Sequence, residues 1–325
     1  MLLTASDLVR DFRAPHSSVR AVNHVSFTLD SGEILGLVGL NGAGKTTLVS
    51  LCATMLAPTS GSLTICGVNA LKRPLAARKF IGVSLGGDSG FYPRSTVEAN
   101  LRFFASLASI PPKEHDQHIM RLLRLVDLTQ QSHTEAGALS RGQYQRLHIA
   151  RALLGHTRIL ILDEATMGLD PDSALHIRSL IARIACEGTG IILTSHSMEE
   201  IEDLATRIVL MDHGSFIAQG TSQDIISYAG LTQVAHTLIA AHNLARFDEK
   251  TCRTLLGDQG TLSLRPAGVH WKATFYWHKN PDDLVAFIHT YCTRQKIPIP
   301  QDIRLTNAQL QDAFIYLSRR NAPER

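Results

Sequence analysis

The apolar positions of this chain switch repeatedly between strand-like and helix-like spacing. Residues 2–12 and 19–29 predict two strands, joined by a polar segment holding Pro15 and His16. Ser31-Gly32 marks a turn, and residues 33–38 (EILGLV) follow as a buried strand. A glycine-rich loop then leads into a helix from Lys45 to about Met55, and residues 62–66 form a further short strand. From Thr96 to about Leu154 the spacing is helical, with Leu101, Phe104 and Leu107, then Leu122, Leu123 and Leu125, as apolar positions. Residues 159–162 are a wholly apolar strand ending in two acids, and Asp170-Pro171 opens a helix, since proline suits the first helical position. Residues 191–194 make the next buried strand, and Ser197 with Glu200 predicts a capping box for a helix over 198–205. Strands at 208–211 and 215–218 close this region near Gly220.

Alternating strands and helices argue for a parallel sheet covered on both faces. The strandless block 96–154 reads as an inserted helical subdomain. Beyond residue 222 the character changes. Two strand–helix units are legible, 271–277 with 281–295 and 302–306 with 308–319, so a small α/β appendage is expected over 223–325.

A length of 325 residues suits one large domain with an appendage, or two domains. Hydrophobic residues at 44% and charged residues at 19% are ordinary for a globular core. The net charge of +3 does not point to nucleic acid, which is met by a concentrated basic face. Cys52, Cys66, Cys186, Cys252 and Cys292 are dispersed without a CxxC pair, so zinc and redox motifs are unsupported and buried structural thiols are expected. No apolar run approaches the roughly 18 residues of a membrane span, and the N-terminus acquires charge too early for a secretory signal. Any membrane contact is expected to be peripheral, through a partner.

The chemistry begins at Gly39-Leu40-Asn41-Gly42-Ala43-Gly44-Lys45-Thr46, followed by Thr47. This fits GxxxxGK[ST] at every fixed position, and it lies between a strand and a helix as that motif requires. Glycines let successive backbone N–H groups turn toward phosphates, and the helix start adds a positive end. Lys45 supplies charge to the β- and γ-phosphates, and the Thr46 hydroxyl is placed for Mg²⁺. A second candidate is the strand end Asp163-Glu164. Two acids on a buried strand tip are costly without a cation, so Asp163 is expected at Mg²⁺ and Glu164 as the base that polarises a water. Taken alone, a solvated loop after a core strand would explain the same pair.

Leu139-Ser140-Arg141-Gly142-Gln143 precedes that acidic strand, and Gly168-Leu169-Asp170 and His196 follow it. Together with the phosphate loop, in this order, the segment resembles the LSGGQ signature of ATP-binding-cassette (ABC) ATPases, with arginine at its third position. The resemblance spans about residues 2–220. It implies a P-loop NTPase cassette with a mixed, mainly parallel sheet, an N-terminal antiparallel β subdomain and the helical insertion. It also implies that two cassettes, identical or paired, sandwich two ATP molecules. Ser140, Gly142 and Gln143 of one subunit then face ATP held by the other, His196 contacts the γ-phosphate, Asp170 lies in the loop crossing the interface, and Phe12 stacks on adenine. Each has a plainer alternative: an N-cap serine, a structural histidine, a capping aspartate before Pro171 and a core aromatic.

Two departures stand out. Ala165 replaces a frequent proline, and Gly86 stands where the family often has a glutamine that reaches the metal and the attacking water. The glycine-rich stretch around Gly86, with Gly87 and Gly90, is similar to ATPases of the type-2 export class. So is the C-terminal Leu310, Phe314 and Leu317 stripe, which is equally an amphipathic core face. The resemblance implies an ATPase that uses MgATP to drive export through separate transmembrane permease subunits, bound at the cytoplasmic face of the cell membrane. A soluble ABC ATPase or a regulatory ATP-binding module is the alternative.

Overall fold

The computed structural model describes residues 1–14, 17–85, 90–247, 249–278, 281–300 and 302–320. The chain divides into two units, Met1–Gln219 and Gly220–Arg325, so the helix beginning at Ser222 belongs to the second.

In the first unit, β1 (Leu3–Ala14) and β2 (Ser17–Leu29) are followed by β3 (Ile34–Val38), α1 (Lys45–Cys52), β4 (Ser60–Ile65), β5 (Val68–Asn69), α2 (Pro74–Arg78) and β6 (Ile81–Leu85). Three longer helices come next: α3 (Val97–Leu107), α4 (His115–Leu125) and α5 (Arg141–Ala152). Then β7 (Ile159–Asp163), α6 (Pro171–Cys186), β8 (Gly190–Thr194), α7 (Met198–Leu204), β9 (Arg207–Asp212) and β10 (Ser215–Gly220) complete it. The strandless helical block is present as expected.

These strands build two sheets. One has the order β2-β1-β4-β5 and pairs antiparallel throughout. The other has the order β10-β9-β3-β8-β7-β6. Its strand β3 is parallel to both β8 and β9, and β7 is parallel to β8 and β6. Every residue of β3 and β8 is buried, as are the first four of β7. Such two-sided burial explains why these strands read as unbroken apolar runs rather than alternating ones. Leu35, Leu37, Leu48, Leu51, Ile161, Ile192 and Val209 join Leu3, Leu8 and Phe27 in one core that spans both sheets.

The second unit contains α8 (Ser222–Ala229), β11 (Gln233–Ala240), α9 (Glu249–Leu256), β12 (Gly260–Ala267), β13 (His270–Trp277), α10 (Pro281–Arg294), β14 (Arg304–Asn307) and α11 (Leu310–Arg320). Its sheet runs β12-β13-β11-β14, and each neighbouring pair is antiparallel. Both expected strand–helix units, β13–α10 and β14–α11, are there, but they are inserted into a sheet whose β11 and β12 the sequence pattern did not announce. Phe275, Trp277, Leu284, Ile288 and Tyr291 fill its core, and α11 packs on α8. Leu310, Phe314 and Leu317 are all buried, as an amphipathic core face requires.

The thiols depart from expectation. Cys52, Cys252 and Cys292 are buried, but Cys66 is only partly covered and Cys186 is exposed. Cys186 ends α6, where the helix meets solvent.

Candidate functional site

Parallel strands bring their carboxyl ends to one edge of a sheet, so loops that follow them converge there. The loops after β3, β7 and β8 are the phosphate loop, the Asp163-Glu164 segment and the His196 segment. Strand register makes the convergence close: Asp163 pairs across with Thr194.

The phosphate loop is held by close backbone approaches. A Cβ on Gly39 would lie 2.4 Å from the carbonyl oxygen of Met211, and one on Gly44 would lie 2.1 Å from that of Ala21. Gly44 also has φ +103° as the residue capping α1, a conformation side chains resist. The amide of Gly214 donates to the carbonyl of Ala43, clamping the loop from the β9–β10 turn. Lys45 Nζ donates to the carbonyls of Gly39, at 2.6 Å, and Leu40, at 3.2 Å. Partial burial pushes the Lys45 ammonium below its ordinary range, while the negative charges of Glu164 and Asp163 draw it back up. Thr46, Asn41 and Leu40 are exposed at the mouth, with Thr47 partly covered and Ala43 buried beneath.

Asp163 is partly buried and accepts a hydrogen bond from the Thr194 hydroxyl. The next residue, Glu164, has φ +54°, a left-handed backbone that costs a non-glycine residue about 1–3 kcal/mol. Glu164 Oε1 lies 2.7 Å from His196 Nε2. The Glu164 amide is fixed by the Thr194 carbonyl and hydroxyl at 3.1 and 3.2 Å. Lys45, Asp163, Glu164 and His196 therefore form one polar group at the sheet edge.

The signature residues form another. Ser140 caps α5 in a full capping box: its hydroxyl accepts from the Gln143 amide at 3.2 Å, and its own amide donates to Gln143 Oε1 at 2.9 Å. Gly142 is buried so closely that a Cβ there would lie 2.6 Å from the Ser173 hydroxyl of α6. The guanidinium of Arg141 lies against Gly168. Asp170 caps α6 by accepting from the Ser173 amide at 2.9 Å, and that hydrogen bond holds its carboxyl below the usual range. Among the described residues, no hydrogen bond joins Ser140, Gly142 or Gln143 to the Lys45–His196 group. Phe12 is 43% exposed rather than a core aromatic, with the Arg10 guanidinium 4.8 Å above its ring. Gly86 and Gly87 lie outside the described residues.

The α7 capping box is a correction. The Ser197 hydroxyl does accept from the Glu200 amide, at 3.3 Å, but the Glu200 side chain does not return to Ser197. Its carboxylate accepts instead from the Ser195 and Thr166 hydroxyls. Thr194, Ser195, Thr166 and Glu200 are contacts that sequence reasoning missed. Short-range patterning gave Glu200 a local role, because its partner Thr166 is distant in sequence.

Comparison with known proteins agrees with this geometry. The ABC transporter family model matches residues 22–167. ABC transporter ATP-binding protein NatA of Bacillus subtilis (strain 168) is 34% identical over 224 residues, covering 69% of this chain and 91% of NatA. The chain belongs to the ABC transporter ATP-binding proteins. As a member of that family it is an ATP-binding ATPase. Similarity extends through the second unit in the Nod factor export ATP-binding protein I of Cupriavidus pinatubonensis (strain JMP 134 / LMG 1197). That relative is 30% identical over 318 residues, covering 98% of this chain and 92% of its own length. Among solved structures, an ATP-binding subunit of an ABC transporter superposes with a TM-score of 0.62 at 27% identity, covering 71% of this chain and 94% of that one.

Proposed function

We propose that this ABC ATPase drives export through separate membrane subunits, and that its polar group at the sheet edge hydrolyses MgATP. The observation that carries the catalytic reading is the 2.7 Å Glu164–His196 pair beside the phosphate loop. In this reading residues 39–47 cradle the phosphates, with Lys45 placed on the β- and γ-groups. Phe12, exposed on β1, offers a face for adenine. Glu164 takes the proton of the attacking water, and His196, bonded to the same carboxylate, steadies it and faces the γ-phosphate.

Among the described residues no three or more His, Cys, Asp or Glu side chains are arranged to hold a metal ion by themselves. A hydroxyl at Thr46 and a carboxylate at Asp163 are hard oxygen donors, which suits Mg²⁺ shared with nucleotide and water. Thr46 and Asp163 would hold it, and when bound it neutralises charge on the transferring phosphate.

The signature group is separate from the Lys45–His196 group in one chain. Ser140, Gly142 and Gln143, with Asp170 beside them, are then available to a second cassette, identical or paired, and its ATP. No helix among the described residues is long and apolar enough to cross a membrane. A peripheral position at the cytoplasmic face, on membrane permease subunits, follows from this reading. Tyr92 and Phe103 are exposed with their ring centroids 5.2 Å apart, and would give a permease an apolar foothold. The name of one relative supports export, the Nod factor export ATP-binding protein, and that of NatA, a transporter ATP-binding protein, supports transport. Residues 1–219 form the nucleotide-binding part of this proposal, and 220–325 an accessory domain, a boundary three residues before the one expected from sequence.

Replacing Glu164 with glutamine tests the base. Hydrolysis should fall about 10²–10⁴-fold, while MgATP binding persists and a dimer accumulates on size-exclusion chromatography. A mutant hydrolysing at the normal rate would remove Glu164 from the mechanism.

A further inference from the structure

Glu200 is fully buried, with 0% of its surface exposed. A buried carboxylate is expensive unless hydrogen bonds compensate it. Here one oxygen, Oε2, accepts from two hydroxyls, those of Thr166, at 2.8 Å, and Ser195. The other oxygen, Oε1, has no hydrogen-bond partner among the described residues. A carboxylate with half its acceptor capacity unused is a poor choice for stability alone.

Its two partners sit on the two segments that carry the catalytic pair. Thr166 follows Glu164 by two positions, and Ser195 immediately precedes His196. The Ser195 hydroxyl also accepts from the Ser197 amide at 3.0 Å, so the turn around His196 is held on both sides. On the other segment, Glu164 is held with φ +54° between the Thr194 hydrogen bonds before it and the Thr166 anchor after it. Such a backbone persists only when its surroundings over-determine it. Helix α7 supplies the fixed point, because Glu200 is set by the cap from Ser197.

We propose that Glu200 is a positioning residue for ATP hydrolysis: its buried carboxylate ties the Glu164 segment to the His196 segment and so sets the distance between the two groups. The inference rests on the reading of Glu164 and His196 as the catalytic pair. Glu200 touches neither nucleotide nor water, and acts through Thr166 and Ser195.

Steady-state hydrolysis and nucleotide binding by the full chain test it. Glu200→Ala should lower kcat about 10–100-fold, the scale of a misplacement near 1 Å, with KM for MgATP changed less than about threefold. Glu200→Gln keeps an amide oxygen for both hydroxyls and should retain most of the rate. Thr166→Val, which conserves shape and removes one hydroxyl, should lower kcat in the same direction, and it guards against an alanine variant that fails to fold. In a Glu164→Gln background, Glu200→Ala should cost nothing further, because the group it positions is already gone. Normal kcat in both Glu200→Ala and Thr166→Val would overturn the proposal. So would a glutamine variant as impaired as alanine, or full additivity with Glu164→Gln. If Glu164→Gln alone hydrolyses normally, the catalytic reading itself has failed; if it is inactive while the Glu200 and Thr166 variants are normal, only the tie has failed.

Discussion

At the scale of single residues, the nucleotide loop depends on what is absent as much as on what is present. Lys45 is the one cation the motif places at the phosphates, and its ammonium already shares the neighbourhood of two carboxylates. Lys45→Ala should weaken binding of a fluorescent ATP analogue by at least about tenfold, the low end for losing a charged hydrogen bond in a binding site. Titration reads this directly, and unchanged affinity would contradict the placement of phosphates on this loop. Gly44 matters for the opposite reason. An alanine there meets the Ala21 carbonyl at 2.1 Å and must adopt φ +103°. The backbone conformation alone costs about 1–3 kcal/mol, so Gly44→Ala should shift the urea midpoint downward with an unchanged m-value. The strain at Glu164 is different in kind, because a functional side chain occupies the left-handed backbone there and no glycine relieves it.

At the scale of elements, helix starts present the site and are themselves held by caps. Ser140 opens α5 and Asp170 opens α6, and Gly142 lets the two helix starts approach. A serine that is only a cap costs about 1 kcal/mol when replaced by alanine. If Ser140 also serves ATP on a second cassette, Ser140→Ala should lose hydrolysis about 100-fold, the scale of one missing oxyanion donor, while urea denaturation records only the cap. Loss of stability without loss of rate would leave Ser140 as a cap. The sequence pattern revealed these elements well where burial is two-sided. The apolar runs of β3, β7 and β8 and the motif-bearing loops after them stand close to where periodicity placed them. It failed at β11 and β12, where polar residues such as His236, Thr237 and Ser263 interrupt the apolar rhythm of an antiparallel sheet. It also failed at Glu200. A local cap could be read from four neighbouring residues, but a hydrogen bond to Thr166 exists only once β7 and β8 lie side by side.

At the scale of the whole molecule, every motif assigned to nucleotide lies within Met1–Gln219, a unit with its own core. A chain ending at Gln219 should therefore bind MgATP with near-normal affinity, judged by titration after circular dichroism has established that it folds. Loss of binding in a folded truncation would place part of the nucleotide site in Gly220–Arg325. The strand order of the main sheet has another consequence, for how the protein is made. β3 is fenced on both sides by strands that come much later: Ile34 pairs with Ile191 and Leu35 with Arg207. During synthesis the phosphate loop emerges early, but both neighbours of its strand wait for the rest of the unit. At ordinary elongation rates that wait lasts on the order of 10–35 s, during which an entirely apolar strand has no partner. The growing chain is thus a natural client for a ribosome-associated chaperone, and the ATP site is among the last parts of the cassette to be completed.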